Sequence, residues 1–268
     1  MSLKYRIFII FHDTLNLQYY NKSILRNIVF INVREGNKNR YPELNIINLH
    51  ELKNFIPIGS YYAESEVVYN LYKNTYLIDD IDFVGFLHHD IDCSPLTDDI
   101  IQTLITTNKL ISFETHLFKA DYNQNILMDA ELPNELCGVG KNCYETIFQD
   151  YNSFNNTHHL LPDFYEINNE IILCSCFLVH KEVFYDLMEF SSGIIESKKL
   201  NGYDIKHKHR IQGGFMERYY ATWFMLKKIP IVSIKLHHYF FETEKRKPLI
   251  EKLAIKIKRL LKTIYGTK

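Results

Sequence analysis

Residues 83 to 92 read FVGFLHHDID, and the fold follows from this stretch outward. FVGFL (83 to 87) is a short apolar run with the length and composition of a strand buried on both faces. It ends at His88, His89, Asp90 and Asp92, so the strand delivers imidazoles and carboxylates at its carboxyl end. In open α/β sheets ligands sit beyond the carboxyl ends of the strands. Asp90 and Asp92, two residues apart, offer hard oxygen ligands that suit Mg2+ or Mn2+, with a bound diphosphate able to complete the octahedron. Acidic pairs in loops are common and mostly solvated; the position at a strand end is what makes this pair a candidate site.

On the amino-terminal side, YRIFIIF (5 to 11) and NIVFINV (27 to 33) are two further apolar runs of buried-strand length. YYAESEVVYNLYKN (61 to 74) places Tyr62, Val68, Tyr69 and Tyr72 near helical spacing and ends in Lys73 and Asn74, which predicts a helix. Beyond the central motif, TDDIIQTLITTN (97 to 108) predicts a helix capped by Thr97, and KLISFE (109 to 114) a strand. Alternating strands and helices predict an α/β domain with a mostly parallel sheet flanked by helices. From about 115 to 168 the pattern dissolves into Asn, Asp, Pro and Tyr, with only NCYETIFQDY (142 to 151) helical; this reads as an excursion over the site. EIILCSCFLVH (170 to 180) then predicts a strand and VFYDLMEFSSGIIESK (183 to 198) a helix. GFMERYYATWFMLKK (214 to 228) predicts an amphipathic helix ahead of a strand, IPIVSIKLH, that carries the sheet to about residue 240. LHHYF (236 to 240) closes that strand and offers His237 and His238, either of which could join a metal.

The chain has 268 residues, 46% hydrophobic and 24% charged, a balance that excludes disorder, collagen and coiled coil. With 31 basic and 32 acidic residues, the whole chain makes no electrostatic case for nucleic acid as a partner. The charge is nonetheless segregated, because residues 245 to 268 carry nine Lys or Arg against one Glu. There Leu249, Ile250, Leu253, Ile257, Leu260, Leu261 and Ile264 follow steps of three and four, which predicts a basic amphipathic helix after a domain spanning residues 1 to 244. Such a helix can lie on an anionic membrane surface or pack its apolar stripe on the parent domain. Five cysteines without paired CxxC spacing read as reduced thiols. The opening apolar run is broken by His12 and Asp13 and reads as a strand, and no apolar stretch approaches the ~18 residues of a membrane span. The expectation is a cytoplasmic protein, at most peripheral on the cytoplasmic face of a membrane.

Two carboxylates sit within helices beside aromatic residues, Glu64 in YYAESEVVY and Glu217 in GGFMERYY. A partly buried carboxylate needs a partner or a task, and general base is one such task for Glu217. Binding of backbone amides or a lysine is the structural alternative. The basic stretch IKHKHR (205 to 210) could screen a leaving diphosphate or simply be a solvated loop.

Taken in order, these motifs resemble nucleotide-sugar glycosyltransferases of the GT-A fold. More narrowly, YYAESEVVYNLYKN, DFVGFLHHD and FMERYYATWF resemble the bacterial capsular and lipopolysaccharide glycosyltransferase-like family, through Tyr61, Tyr62, Glu64, Tyr69, Lys73, Asn74, Gly85, His88, Glu217 and Arg218. Where that family commonly continues His-Tyr-Arg-Arg, this chain has His88, His89, Asp90, Ile91 and Asp92, which is similar to the DxD motif of other GT-A transferases, some of them viral. The resemblance implies a Rossmann-like GT-A domain that transfers sugar from a nucleoside diphosphate sugar, a UDP-sugar favoured, to a glycan or lipid-linked hydroxyl in surface polysaccharide synthesis. It implies nucleotide-sugar contacts from Phe11, His12, Asp13, Tyr62, Glu64, His89 and Asp90, and a Mn2+ or Mg2+ ion on Asp90, Asp92 and His237. Glu217 is then the implied catalytic base, if the reaction inverts. A metal-dependent phosphohydrolase and a non-catalytic glycan- or membrane-binding module are the alternatives.

Overall fold

The computed structural model describes residues 3–12, 14–34, 40–118, 143–165, 169–202 and 211–239. Its centre is a seven-stranded sheet. Strands β1 (Tyr5–Phe11), β2 (Ile28–Asn32), β3 (Ile46–Asn48) and β4 (Phe83–His88) form one half, all parallel. A short strand, β5 (Ile91–Asp92), follows β4 at once. The other half uses β6 (Leu110–Ser112), then, beyond β7 (Thr115–Leu117) and β8 (Glu170–Ile172), β9 (Phe177–His180) and β10 (Ile231–Ser233). The strand order is β10-β6-β9-β4-β1-β2-β3, with β9 antiparallel to both its neighbours. A last strand, β11 (His237–His238), pairs antiparallel with β5 in a separate ribbon, and β7 pairs antiparallel with β8.

The apolar runs form central strands because they are covered on both faces. Phe8 and Ile10 of β1, with Val84 and Phe86 of β4, point into one core, while Ile7, Ile9 and Phe11, with Phe83 and Leu87, point into a second core on the other face. This is the period-two alternation of a doubly covered sheet. On the second face lies helix α2 (Asp98–Thr107), capped as predicted by the Thr97 hydroxyl, which accepts from Ile100 N. On the first lie α1 (Glu64–Lys73), α3 (Cys143–Asn155), α4 (Lys181–Glu196) and α5 (Ile211–Leu226).

Four elements depart from the sequence-based expectation, one of them the strand expected to carry the sheet to about residue 240, which ends as β10 at Ser233 while His237–His238 pairs with β5 in a separate ribbon. The helix predicted over 61 to 74 is broken at Ala63 (φ 51°, ψ −130°), so that a 3-10 turn, Ser60–Tyr62, precedes α1. The stretch 170 to 180 is two strands in two sheets, because Cys174 (φ 61°) and Ser175 (φ 49°) both take left-handed conformations that an extended strand cannot accommodate. The amphipathic helix predicted over 214 to 228 is instead α5, buried nearly all round: Phe215, Met216, Tyr219, Ala221 and Thr222 are wholly inaccessible and Trp223 is 2% exposed. An all-round apolar helix belongs in a core, and α5 packs against α1, α3, α4 and β8. The predicted basic helix over 245 to 268, the 205 to 210 loop and half of the predicted excursion (119–142 and 166–168) lie outside the described residues.

The Lys-Asn end of α1 is structural. Asn74 accepts from Asn54 N (2.9 Å) and donates to Asn54 O (3.1 Å), and Asn70 makes the same pair of bonds to Ile56 (2.7 and 2.9 Å). Lys73 pairs with Glu196 at 2.8 Å. Together they clamp the preceding loop and α4 to α1. At the other end of α1, a Cβ on Gly213 would fall 2.9 Å from Ala63 Cβ and 3.0 Å from Tyr62 O, so only glycine lets α5 approach this turn. Among the described residues no helix is long and apolar enough to cross a membrane.

Candidate metal centre

The site forms where β4 ends. The ladder between β1 and β4 extends one step past His88, through His89 N donating to Ile10 O at 3.2 Å. The chain then turns at His89 and Asp90 and enters β5, whose partner β11 brings in the second histidine pair. The turn is closed by Tyr239 N, which donates to Asp90 O at 3.0 Å, and by the Tyr20 hydroxyl, which donates to His89 O at 3.1 Å. Residues separated by some 150 positions are thereby held side by side.

The ligand atoms that converge belong to His88, Asp90 and His238, all within 4.8 Å of one another. His238 Nε2 lies 3.2 Å from Asp90 Oδ1, and the His88 and His238 rings meet edge to face at 5.9 Å. Burial alone would raise the Asp90 carboxyl, but its contact with His238 and the nearby His88 and His89 outweigh that and hold it at about 2. Burial likewise pulls His238 down, and Asp90 and Glu114 more than reverse it, to about 9. The centre therefore carries an ionised carboxylate in a half-buried setting.

Asp92 and His237, predicted as ligands with Asp90, are not part of this convergence. They are Cα partners across the ribbon; Asp92 Oδ1 accepts from Ser94 N at 2.9 Å, and His237 is exposed against the Tyr239 ring at 4.4 Å. A two-stranded ribbon puts neighbouring residues on opposite faces, so His238 and His237 diverge. The sequence left the choice between the two open, and the register of β11 on β5 makes it.

The remaining predicted residues fall as follows. His12 and His89 meet edge to face at 5.0 Å beside the centre, and Asp13 is outside the described residues. Phe11 is wholly buried and packs edge-on against Phe30, so its ring belongs to the core and not to a ligand surface. Tyr62 is 3% exposed, its hydroxyl donating to Asn201 Oδ1 at 3.3 Å. Glu64 opens α1 and is half-buried. Glu217 lies in α5 with its Oε2 4.0 Å from Arg218 Nη1, while that same nitrogen donates to Gly214 O at 2.8 Å. The fully buried Cys176 thiol is pushed well up, by burial first and then by the charge of Glu114, with smaller contributions from Glu217 and Asp90.

Two residues of the centre had a weaker sequence signal. His88 appears in the quoted motif but not as a ligand. Glu114 stands in the sequence only as the end of a predicted strand, although KLISFE ends a strand on an acid just as FVGFLHHD does. Its Oε2 lies 3.6 Å from His238 Nδ1.

The donor set fits a divalent ion. It combines one carboxylate with two imidazoles, and His88 Nε2 is buried without a hydrogen-bond partner, the state of a nitrogen shaped for a ligand.

No protein-family model matches the chain, and no curated protein matches it in sequence. Its backbone does match solved structures. The apo structure of the bifunctional glycosyltransferase WbbM superposes with a TM-score of 0.60 over 87% of this chain at 14% identity, and the match spans 45% of the WbbM chain. Glucosyl-3-phosphoglycerate synthase from Mycobacterium tuberculosis, in complex with Mn2+, UDP and glucosyl-3-phosphoglycerate, matches over 97% of this chain and 79% of its own at 8% identity and a TM-score of 0.42. Mouse xyloside xylosyltransferase 1 matches over 87% and 85% at 10% identity and a TM-score of 0.41. The last two superpositions are too loose to carry weight. The WbbM superposition, together with the mostly parallel sheet, shows that this chain has the GT-A fold.

Proposed function

We propose that the chain is a metal-dependent glycosyltransferase that moves a sugar from a nucleoside diphosphate sugar, a UDP-sugar favoured, to a hydroxyl of a glycan or lipid-linked acceptor in surface polysaccharide synthesis. The observation that carries this reading is the convergence of His88, Asp90 and His238 at the carboxyl end of β4 in a GT-A fold.

His88, Asp90 and His238 would hold the ion, and Asp90 supplies the negative charge of the set. When bound, a divalent ion offsets the charge that builds on the leaving diphosphate. His12 and His89, whose rings meet at 5.0 Å, would contact the ribose or base. Phe11 and Tyr62 are both buried and would not touch the donor. Glu217, half-buried in α5, would act as the base: its carboxylate would take the acceptor hydroxyl proton if the reaction inverts, or orient the acceptor if it retains. The basic segment 245 to 268 would keep the domain 1 to 244 near lipid-linked acceptors at an anionic, cytoplasmic membrane face.

The test is thermal-shift binding across UDP, GDP, CMP and dTDP and their sugars, with and without Mn2+, followed by sugar transfer to candidate acceptors. A Mn2+-dependent shift with one nucleotide supports the reading, since a ligand of the native state raises its stability. Donor turnover to phosphate products with no acceptor dependence would favour a phosphohydrolase. Metal binding with no nucleotide binding and no turnover would favour a non-catalytic module.

A further inference from the structure

We propose that Glu114 is a positioning residue for the candidate metal centre: it holds the His238 ring from behind, through Nδ1, so that Nε2 faces the ion. The inference rests on the metal reading above and concerns a residue that the DxD resemblance does not include.

The backbone geometry brings the two residues together by construction. β10 and β6 are parallel, with Ile231 opposite Leu110, and the pairing continues past both strands: Ile234 N donates to Ser112 O at 2.8 Å and Leu236 N to Phe113 O at 3.4 Å. Residue 114 therefore travels alongside the segment that ends in His238. Phe113 N is tied in turn to Cys176 O at 3.0 Å, which fixes this stretch to the extension of β9. Glu114 itself is locked by a wholly buried serine: Ser112 Oγ donates to Glu114 O at 2.6 Å and accepts from Glu114 N at 3.1 Å. A carboxylate placed on so constrained a backbone has few orientations to lose on forming a contact.

The side chains complete the relay. Glu114 Oε2 stands 3.6 Å from His238 Nδ1, and His238 Nε2 stands 3.2 Å from Asp90 Oδ1. The two ring nitrogens point away from each other, so Glu114 and Asp90 lie on opposite sides of one imidazole and Glu114 is outside the convergent set. The Glu114 and His238 side chains are 17% and 9% exposed, which limits competition from water. The 3.6 Å separation is an ion-pair contact, which a shift of about 1 Å would bring to the ~2.7–2.9 Å of a charge-assisted hydrogen bond. A carboxylate behind a ligating histidine fixes the tautomer with its proton on the outer nitrogen, orients the ring and raises its basicity. Loss of such an outer partner typically weakens metal binding ~10–100-fold.

The experiment uses the full chain and Mn2+ alone, without donor. Mn2+ affinity is measured by electron paramagnetic resonance for wild type, Glu114→Gln, Glu114→Asp and His238→Ala, with circular dichroism to verify folding. The tautomer of His238 is read from imidazole 15N chemical shifts in the metal-free protein at pH 10, where the ring is neutral. The expected result is a ~10–100-fold loss of Mn2+ affinity in Glu114→Gln, partial rescue in Glu114→Asp, and loss of the Nδ1-protonated signature in Glu114→Gln. If His238→Ala loses Mn2+ while Glu114→Gln binds as wild type, the positioning role is overturned and the metal centre stands. If wild type and His238→Ala are alike in binding or in failing to bind, the metal reading falls and the inference with it.

Discussion

His238 Nε2 and Asp90 Oδ1 lie 3.2 Å apart across a two-residue ribbon, although 147 positions of chain separate them. The pair joins the strand end that carries the acidic motif to the last described strand, and with His88 it defines where an ion can sit. The acidic residue that matters is thus Asp90, whose partners are imidazoles, while Asp92 is engaged with the backbone of Ser94.

The two acids of the motif are expected to separate experimentally. Asp90→Asn should weaken Mn2+ at least ~10-fold, while Asp92→Asn should retain binding within a few-fold, because only Asp90 is in the convergent set. Isothermal titration of both variants with Mn2+ decides this. Equal losses would show that the ion recruits Asp92 and that the ribbon rearranges around it.

The approach of α5 to the turn before α1 should be intolerant of any side chain at Gly213. The added Cβ of Gly213→Ala meets Ala63 Cβ at 2.9 Å and the Tyr62 carbonyl at 3.0 Å, and backbone cannot step aside cheaply. A destabilisation of about 1–3 kcal/mol is expected. Urea unfolding of the variant against wild type measures it, and an unchanged midpoint would mean that the two elements pack less closely than described.

Buried thiols give the protein an alkaline weakness. Burial first, and then the charge of Asp92, pushes Cys93 up from 9.0 to about 12, and burial pushes Cys143 up to about 11. In the unfolded chain these thiols ionise near 9, so between pH 9 and about 11 the folded state holds protons that the unfolded state has released. Stability from these groups is complete below pH 9 and is lost as pH rises through that window. The loss is roughly 1 kcal/mol per thiol at pH 10. Cys93→Ala should therefore lose less stability than wild type between pH 8 and pH 10; identical losses in urea titrations would remove the thiol as the cause.

The basic segment should behave as a membrane contact. Flotation with vesicles containing anionic lipid is expected to carry the full chain but not a chain ending at Glu244, with binding reduced by salt. Flotation of both to the same extent would remove the segment from any role at lipid.

Much of the fold was legible because buried strands and amphipathic helices write their periods into the chain. YRIFIIF and FVGFL are strands, and Thr97 caps its helix, as local pattern predicts. The misreadings came where local pattern is silent about what covers an element. GFMERYYATWF looks amphipathic until α3 and α4 close over its second face, and EIILCSCFLVH looks continuous until Cys174 and Ser175 turn it from one sheet into another.

By itself, then, the sequence determined the alternation of elements, the doubly covered central strands and a strand end rich in carboxylate and imidazole. It could not determine which of Asp90 and Asp92, or of His237 and His238, meet, because Asp90 lies in the turn before β5 while Asp92 lies on that strand, and His237 and His238 occupy opposite faces of β11. The register of β11 on β5 decides that, and the parallel run of residues 234–236 beside 112–113 brings Glu114 to the same place. Register is a property of two distant segments held together by the core beneath them, and a shift of one residue would have exchanged every side chain from one face to the other.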